Sequence, residues 1–163
     1  MIKQIDGWLT APQGFVAAGV KAGIKVSGKE DVAVIMSTVP AAAGAVFTQN
    51  KMCAAPVTVS REAAKQPYAQ AIVVNSGCAN ACTGEKGLAD AREMASFTAG
   101  LLDIDEKGVY VCSTGVIGHF LPMDKVRTGI ADAVDKMDEN EGESAALAIQ
   151  TTDTFIKKIA YEF

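Results

Sequence analysis

The chain has 163 residues, 49% of them apolar, with 15 Lys and Arg against 19 Asp and Glu for a formal net charge of -4. That length and apolar content suit one domain, residues 1–163, with a buried core, and the absence of any basic run argues against nucleic acid, whose phosphates need clustered Lys and Arg. No membrane segment is indicated either: Met1–Thr10 lacks an apolar signal core, and the apolar stretch Val39–Phe47 is short and broken by Pro40 and Gly44, so a cytoplasmic protein is expected.

In chain order, the run from Phe15 to Ile24, with Gly19, Gly23 and the following Gly28, matches no phosphate-loop spacing. Its glycines read as bends or close packing in an early strand pair. Asp31–Ser37 reads as a buried strand, and Gly44–Thr48 and Pro56–Ser60 as shorter ones, with β-branched or aromatic residues bounded by turn formers. Two units then share one plan of strand, small polar loop and amphipathic helix. In the first, the apolar strand Ala71–Val74 enters a loop over 75–84 and a helix follows from about Glu85 to Leu102. Thr83 suits its N-cap and Glu85 its positive dipole end. Leu88, Ala91, Ala95 and Leu102 form the inner face with Met94 beside it, while Lys86, Asp90 and Glu93 point elsewhere. In the second, Val109–Cys112 is the strand and Ser113–Gly118 the loop. Pro122 falls in the first turn of a helix whose stripe is Val126, Ile130, Val134 and Met137.

A short helix over about Glu143–Gln150 exits at Thr151-Thr152-Asp153-Thr154. The closing segment Lys157–Phe163 alternates, with Ile159, Tyr161 and Phe163 on one face and Lys158, Ala160 and Glu162 on the other. It reads as a half-buried strand with no partner strand after it, so the chain is expected to be an incomplete unit. Alternating helices and strands give a layered α/β fold, and the strand-rich stretch before residue 70 argues against a purely parallel sheet.

Which residues could carry chemistry? The four cysteines lack finger-like spacing and there is a single His, His119, so zinc is not indicated. They read as reduced structural thiols, with Cys53 and Cys112 as small buried hydrophobes. Ser113-Thr114-Gly115, at the end of a buried strand, is either a turn with helix entry or a set of hydroxyl and backbone N–H donors aimed at an oxyanion. Asn75-Ser76-Gly77 lacks the glycine of a hydrolase elbow, because position 74 is Val74, and reads as an Asx-type turn. Thr151–Thr154 alone is a helix exit, and Asp153 has no paired acid for glycosidase-type work. A lone loop histidine such as His119 is incidental.

The order and wording of these loops nevertheless resemble one family. IVVNSG (72–77), ANACTG (79–84), STGVIG (113–118), LPM (121–123) and TTDTF (151–155) are similar to the N-terminal α chain of the ornithine acetyltransferase, or glutamate N-acetyltransferase, family. So are TAPQGF (10–15), AAG (17–19), VPAAAG (39–44) and VFT (46–48), so the resemblance runs from about Gly7 to Phe155. It implies an αββα sandwich layered like the N-terminal nucleophile hydrolases and completed by a second, β chain cut from the same precursor. The new N-terminal Thr of that β chain attacks the acetyl carbonyl of N-acetylornithine, and glutamate then takes the acetyl group in a ping-pong exchange. Thr114 and Gly115 match the family's oxyanion hole, and Thr151 matches a substrate-binding threonine. The implied assembly is an α2β2 heterotetramer with no cofactor and no metal, acetyl-CoA serving some members as co-substrate. Two departures stand out: Cys78 replaces an expected Asn, and His119-Phe120 replaces an acidic residue followed by a small one. Two other readings stay open, a self-processing aminopeptidase-like amidohydrolase and a non-catalytic amino-acid-binding module.

Overall fold

The computed structural model describes all residues, 1–163. Its sheet begins with β2 (Phe15–Val20), preceded by a short β1 (Lys3–Ile5), and β3 (Val32–Ala42), which pair antiparallel from Phe15↔Ser37 to Val20↔Val32. The connection between β2 and β3 folds around Asp31. This buried carboxylate accepts the backbone N–H groups of Ala22 (2.7 Å), Ile24 (2.5 Å) and Lys25 (2.8 Å). Gly23 and Gly28 turn the chain here at φ +80 and +69, and Gly19 lets a helix approach, since a Cβ on it would lie 2.0 Å from the Ser144 carbonyl oxygen. The expected bends and close packing are therefore both present.

α1 (Ala55–Ala63) follows, then β4 (Tyr68–Cys78), α2 (Gly84–Leu102), β5 (Val109–Val116), α3 (Met123–Lys136), α4 (Gly142–Ala148) and β6 (Ala160–Glu162). The main sheet runs β2-β3-β4-β5. β3 and β4 are antiparallel, and β4 and β5 are parallel across the α2 crossover, which gives the mixed sheet the sequence suggests. Strand side chains alternate between faces. On one face Val32, Val34, Val73, Val109 and Val111 pack with Val59 of α1, Met94 and Ala95 of α2, and Val126 and Ile130 of α3. On the other, Ala17, Ala33 and Val74 meet Ala145 and Ala148 of the short α4. The chain thus supplies one full helix layer and a four-stranded sheet, beside a separate two-stranded ribbon of β1 and β6. Truncating a fully buried side chain such as Ile130 or Met94 to Ala would cost about 2–5 kcal/mol.

Several sequence expectations are corrected. Pro56–Ser60 is helix, not strand. Its β-branched residues favour strands only weakly, whereas Pro56, Val59, Ser60 and Ala63 bury one helical face, and Pro56 sits in the first turn. Gly44–Thr48 is irregular: β3 ends at Ala42 and this stretch has no strand to pair with. Asp90 lies inside the α2 interface, its carboxylate held by Lys86 Nζ at 2.9 Å. Asn75–Gly77 continues β4 and is no Asx turn, because the parallel ladder with β5 extends to Cys78↔Val116. Thr83 stands at the α2 N-cap without capping it, and its hydroxyl donates instead to Asn80 Oδ1 at 2.7 Å. Pro122 is the residue before α3 and so lies outside its first turn.

The closing strand has a partner after all, but upstream. β6 pairs antiparallel with β1, Lys3 facing Glu162 and Ile5 facing Ala160. Only the Ala160 side packs, and the stripe Ile159, Tyr161 and Phe163 is exposed, so this strand is less buried than its alternation suggests. Lys158 ties the ribbon down through Asp6 (2.6 Å) and the face of the Trp8 ring (4.0 Å). No helix is long and apolar enough to cross a membrane.

Candidate active site

The C-terminal ends of β4 and β5 lie side by side, with Asn75↔Ser113, Ser76↔Thr114 and Gly77↔Gly115 in register. Strand ends of layered α/β folds are the usual place for a site. Alternation puts Thr114 on the face of Cys112 and Val74, where α4 covers β2 and β3 more than β5. Gly115 is required by its surroundings. Its φ is +130, and a Cβ there would lie 2.4 Å from the carbonyl carbon of Gly77 and 2.7 Å from the nitrogen of Cys78.

The direction of the Gly115 N–H follows from the ladder. Val111 exchanges both its backbone bonds with Ser60 Oγ of α1 (2.9 and 2.8 Å), so its N–H and C=O point away from β4. The Val116 carbonyl accepts from Ala79 N–H (2.9 Å) and so points toward β4. Backbone groups alternate sides along a strand. The Gly115 N–H, four residues beyond Val111, therefore emerges at the outer edge of β5, which is the edge strand. The Thr114 hydroxyl and the outward Gly115 N–H are donors of the kind that can stabilise a developing oxyanion, and of the two residues Thr114 lines the adjoining cleft while Gly115 lies outside its lining.

Thr114 also lines an open cleft of about 1340 Å³, together with Val74, Cys112 and Ser113 from the sheet. Ile149, Gln150 and Asp153 border the same cleft from the segment after α4, and Trp8 and the β6 ribbon close its far side. The structure thus brings Thr114 and the 149–153 segment to one cavity. Thr151 is exposed and lies just outside the lining, its N–H donating to Asp153 Oδ2 at 3.3 Å. The Lys157 ammonium beside Asp153, with the Thr151 N–H adding to it, holds that carboxyl below its ordinary range, so Asp153 is ionised at neutral pH.

The remaining candidates separate from the cleft or play structural parts. His119 is exposed, and its carbonyl, not its ring, is used, accepting from Cys78 Sγ at 3.2 Å. Phe120 lies 5.4 Å under Lys86 Nζ. Cys112 is solvent-accessible rather than a buried hydrophobe, yet it sits in the concave wall, where surrounding protein pushes its thiol up. Cys53 is half-buried outside any strand. The Thr58 hydroxyl, and after it the Arg61 guanidinium, lower its pKa. Sequence reasoning missed the bond from Ser113 Oγ to Asn75 Oδ1 (2.5 Å) beneath the site. The signal available was that both are small polar residues one position past an apolar strand run.

The ArgJ family profile matches residues 16–163. Among similar proteins, the arginine biosynthesis bifunctional protein ArgJ of Caldanaerobacter subterraneus subsp. tengcongensis is 54% identical over 159 residues, which is 98% of this chain and 39% of that protein. The protein of the same name from Geobacillus kaustophilus is 47% identical over 158 residues, 96% of this chain and 38% of its own. This chain therefore spans about two fifths of the length of those relatives. A crystal structure of ornithine acetyltransferase from Mycobacterium tuberculosis complexed with ornithine superposes with a TM-score of 0.95 at 42% identity, covering 99% of this chain and 88% of that one. The ArgJ structure from Bacillus halodurans gives 0.91 at 40% identity, covering 99% and 85%. The mixed α/β layering is thus that of known ornithine acetyltransferase chains, and the chain belongs to the ArgJ family.

Proposed function

We propose that this chain is the N-terminal, α-chain part of an acetyltransferase that moves an acetyl group from N-acetylornithine to glutamate in arginine biosynthesis. What carries the reading is Thr114 lining an open cleft, with Gly115 next to it in sequence at the end of β5, in a chain 54% identical to an ArgJ protein. The nucleophile is the N-terminal Thr of a downstream β chain from the same precursor. Its hydroxyl oxygen bonds to the acetyl carbon while its own α-amine takes the proton. Negative charge gathers on the carbonyl oxygen, where Thr114 Oγ1 and Gly115 N–H donate to it. The C–N bond then breaks, the proton passes to the leaving amine, and ornithine departs from an acetyl ester. The glutamate amine attacks that ester by the same steps in reverse. Thr151 hydrogen-bonds the substrate backbone.

The β chain docks against the thinly covered face of β4 and β5 and the exposed stripe of Ile159, Tyr161 and Phe163. Its sheet completes an αββα sandwich, and two such pairs form an α2β2 heterotetramer. A sheet face bearing Cys112 and Thr114 beside exposed apolar side chains supports this, because exposed apolar rows favour association. The reaction needs no metal or organic cofactor, and acetyl-CoA, where used, enters through the same acetyl ester.

The test is turnover by the complete two-chain enzyme supplied with N-acetylornithine and glutamate. Parallel-line kinetics with N-acetylglutamate and ornithine as products are expected. Release of acetate independent of glutamate would favour an amidohydrolase, and binding without turnover a non-catalytic module.

A further inference from the structure

We propose that Asn75 and Ser76 are positioning residues, Asn75 for the oxyanion donors and Ser76 for the substrate segment, an inference that rests on the function proposed above. Both are fully buried polar side chains at the end of β4. Burying such groups is costly unless each finds a partner, and their partners lie on the two segments that border the cleft. Asn75 Oδ1 accepts from Ser113 Oγ at 2.5 Å, and Asn75 Nδ2 donates to the Cys78 carbonyl at 2.8 Å. The side chain thereby links the residue before Thr114 to the residue after Gly77, whose backbone is packed against Gly115. Ser76 Oγ turns to the opposite face and donates to the Ala148 carbonyl, at the end of α4. Lys25 Nζ donates to the same carbonyl at 3.2 Å, and Ser76 N–H donates to the Asp31 carbonyl at 2.8 Å. Ala148 stands three residues before Thr151, so Ser76 fixes where the substrate segment leaves the helix. Neither side chain lines the cleft, so both act through their neighbours.

The two bonds separate in kinetics. In the complete enzyme, Ser113→Ala removes the donor to Asn75 and is expected to lower kcat about tenfold with KM for N-acetylornithine within about twofold, because a small misplacement of donors weakens the transition state selectively. Ser113→Thr keeps the hydroxyl and should return kcat to within about threefold of wild type. Ser76→Ala should raise KM about fivefold with kcat within about twofold. A purely structural role would lower the melting temperature and leave this split absent. Equal impairment of Ser113→Ala and Ser113→Thr, or unchanged kcat and KM in Ser113→Ala and Ser76→Ala, overturns the proposal. Thr114→Ala, measured alongside, distinguishes the failures. A loss of about a hundredfold in kcat there, without the split elsewhere, sinks the positioning residues and leaves the oxyanion assignment standing. A kcat within about threefold for Thr114→Ala removes the oxyanion assignment itself.

Discussion

Replacing Gly115 with Ala perturbs the site by one carbon whose surroundings are known. At φ +130 an L side chain is strained by about 1–3 kcal/mol even in open space. Here the new Cβ would also lie 2.4 Å from the Gly77 carbonyl carbon and 2.7 Å from the Cys78 nitrogen. Unstrained contacts between such atoms are near about 3.5 Å. The neighbour is the backbone of a paired strand, so β4 and β5 must part by about 1 Å at this point, and a displacement of that size at a reacting centre costs about a hundredfold in rate. Steady-state kinetics of the complete enzyme with N-acetylornithine and glutamate, alongside a thermal melt, should therefore show kcat reduced about a hundredfold or more and KM changed less. Gly118→Ala is the control. Its φ is +78 but nothing lies within 4 Å of the added carbon, so a modest loss of stability with near-wild-type turnover is expected. A Gly115→Ala enzyme with kcat within about threefold of wild type would refute both the steric reasoning and the place of this amide in the site.

Three further outcomes are expected. Thr151→Val, which keeps volume and removes a hydroxyl, should raise KM for N-acetylornithine more than it lowers the melting temperature; unchanged kinetics with a large drop in melting temperature would assign Thr151 to the fold. Asp31→Ala strips three backbone N–H groups of a buried acceptor and should destabilise by about 3 kcal/mol or more, read as a lowered denaturation midpoint. Alkylation followed by peptide mass mapping should find Cys53 reacting at lower pH than Cys112. A lowered thiol pKa retains thiolate as pH falls, whereas the protein wall around the accessible Cys112 raises its pKa, and the reverse order would contradict the environments described.

The sequence was most readable where periodicity was long and unopposed. The apolar stripes of α2 and α3 and the apolar runs of β3, β4 and β5 carry their own burial pattern, and the structure places them accordingly. Reading failed where a distant contact decides. Val57, Thr58 and Val59 favour a strand locally, but α1 is stabilised by burying Val59 and by Ser60 bonding to β5 more than 50 residues away. Likewise, the partner of β6 lies at the opposite end of the chain, a pairing that no local pattern encodes. At the site, Ser113-Thr114-Gly115 was legible as a strand end with donors. Asn75 has the local pattern of a turn former, because its partner, Ser113, is 38 residues on. The cleft itself, built by the segment after α4 and the β6 ribbon, is a product of tertiary packing alone.

Trapping the acetyl-enzyme tests most directly whether this chain supplies the oxyanion donors while another supplies the nucleophile. The complete enzyme, given N-acetylornithine without glutamate, is quenched and its chains are separated and mapped by mass spectrometry. The acetyl adduct should sit on the N-terminal Thr of the downstream chain, with residues 1–163 unmodified and the adduct forming about a hundredfold more slowly in Thr114→Ala. An acetyl group found on any residue of this chain, formed and discharged at the rate of turnover, would contradict the account.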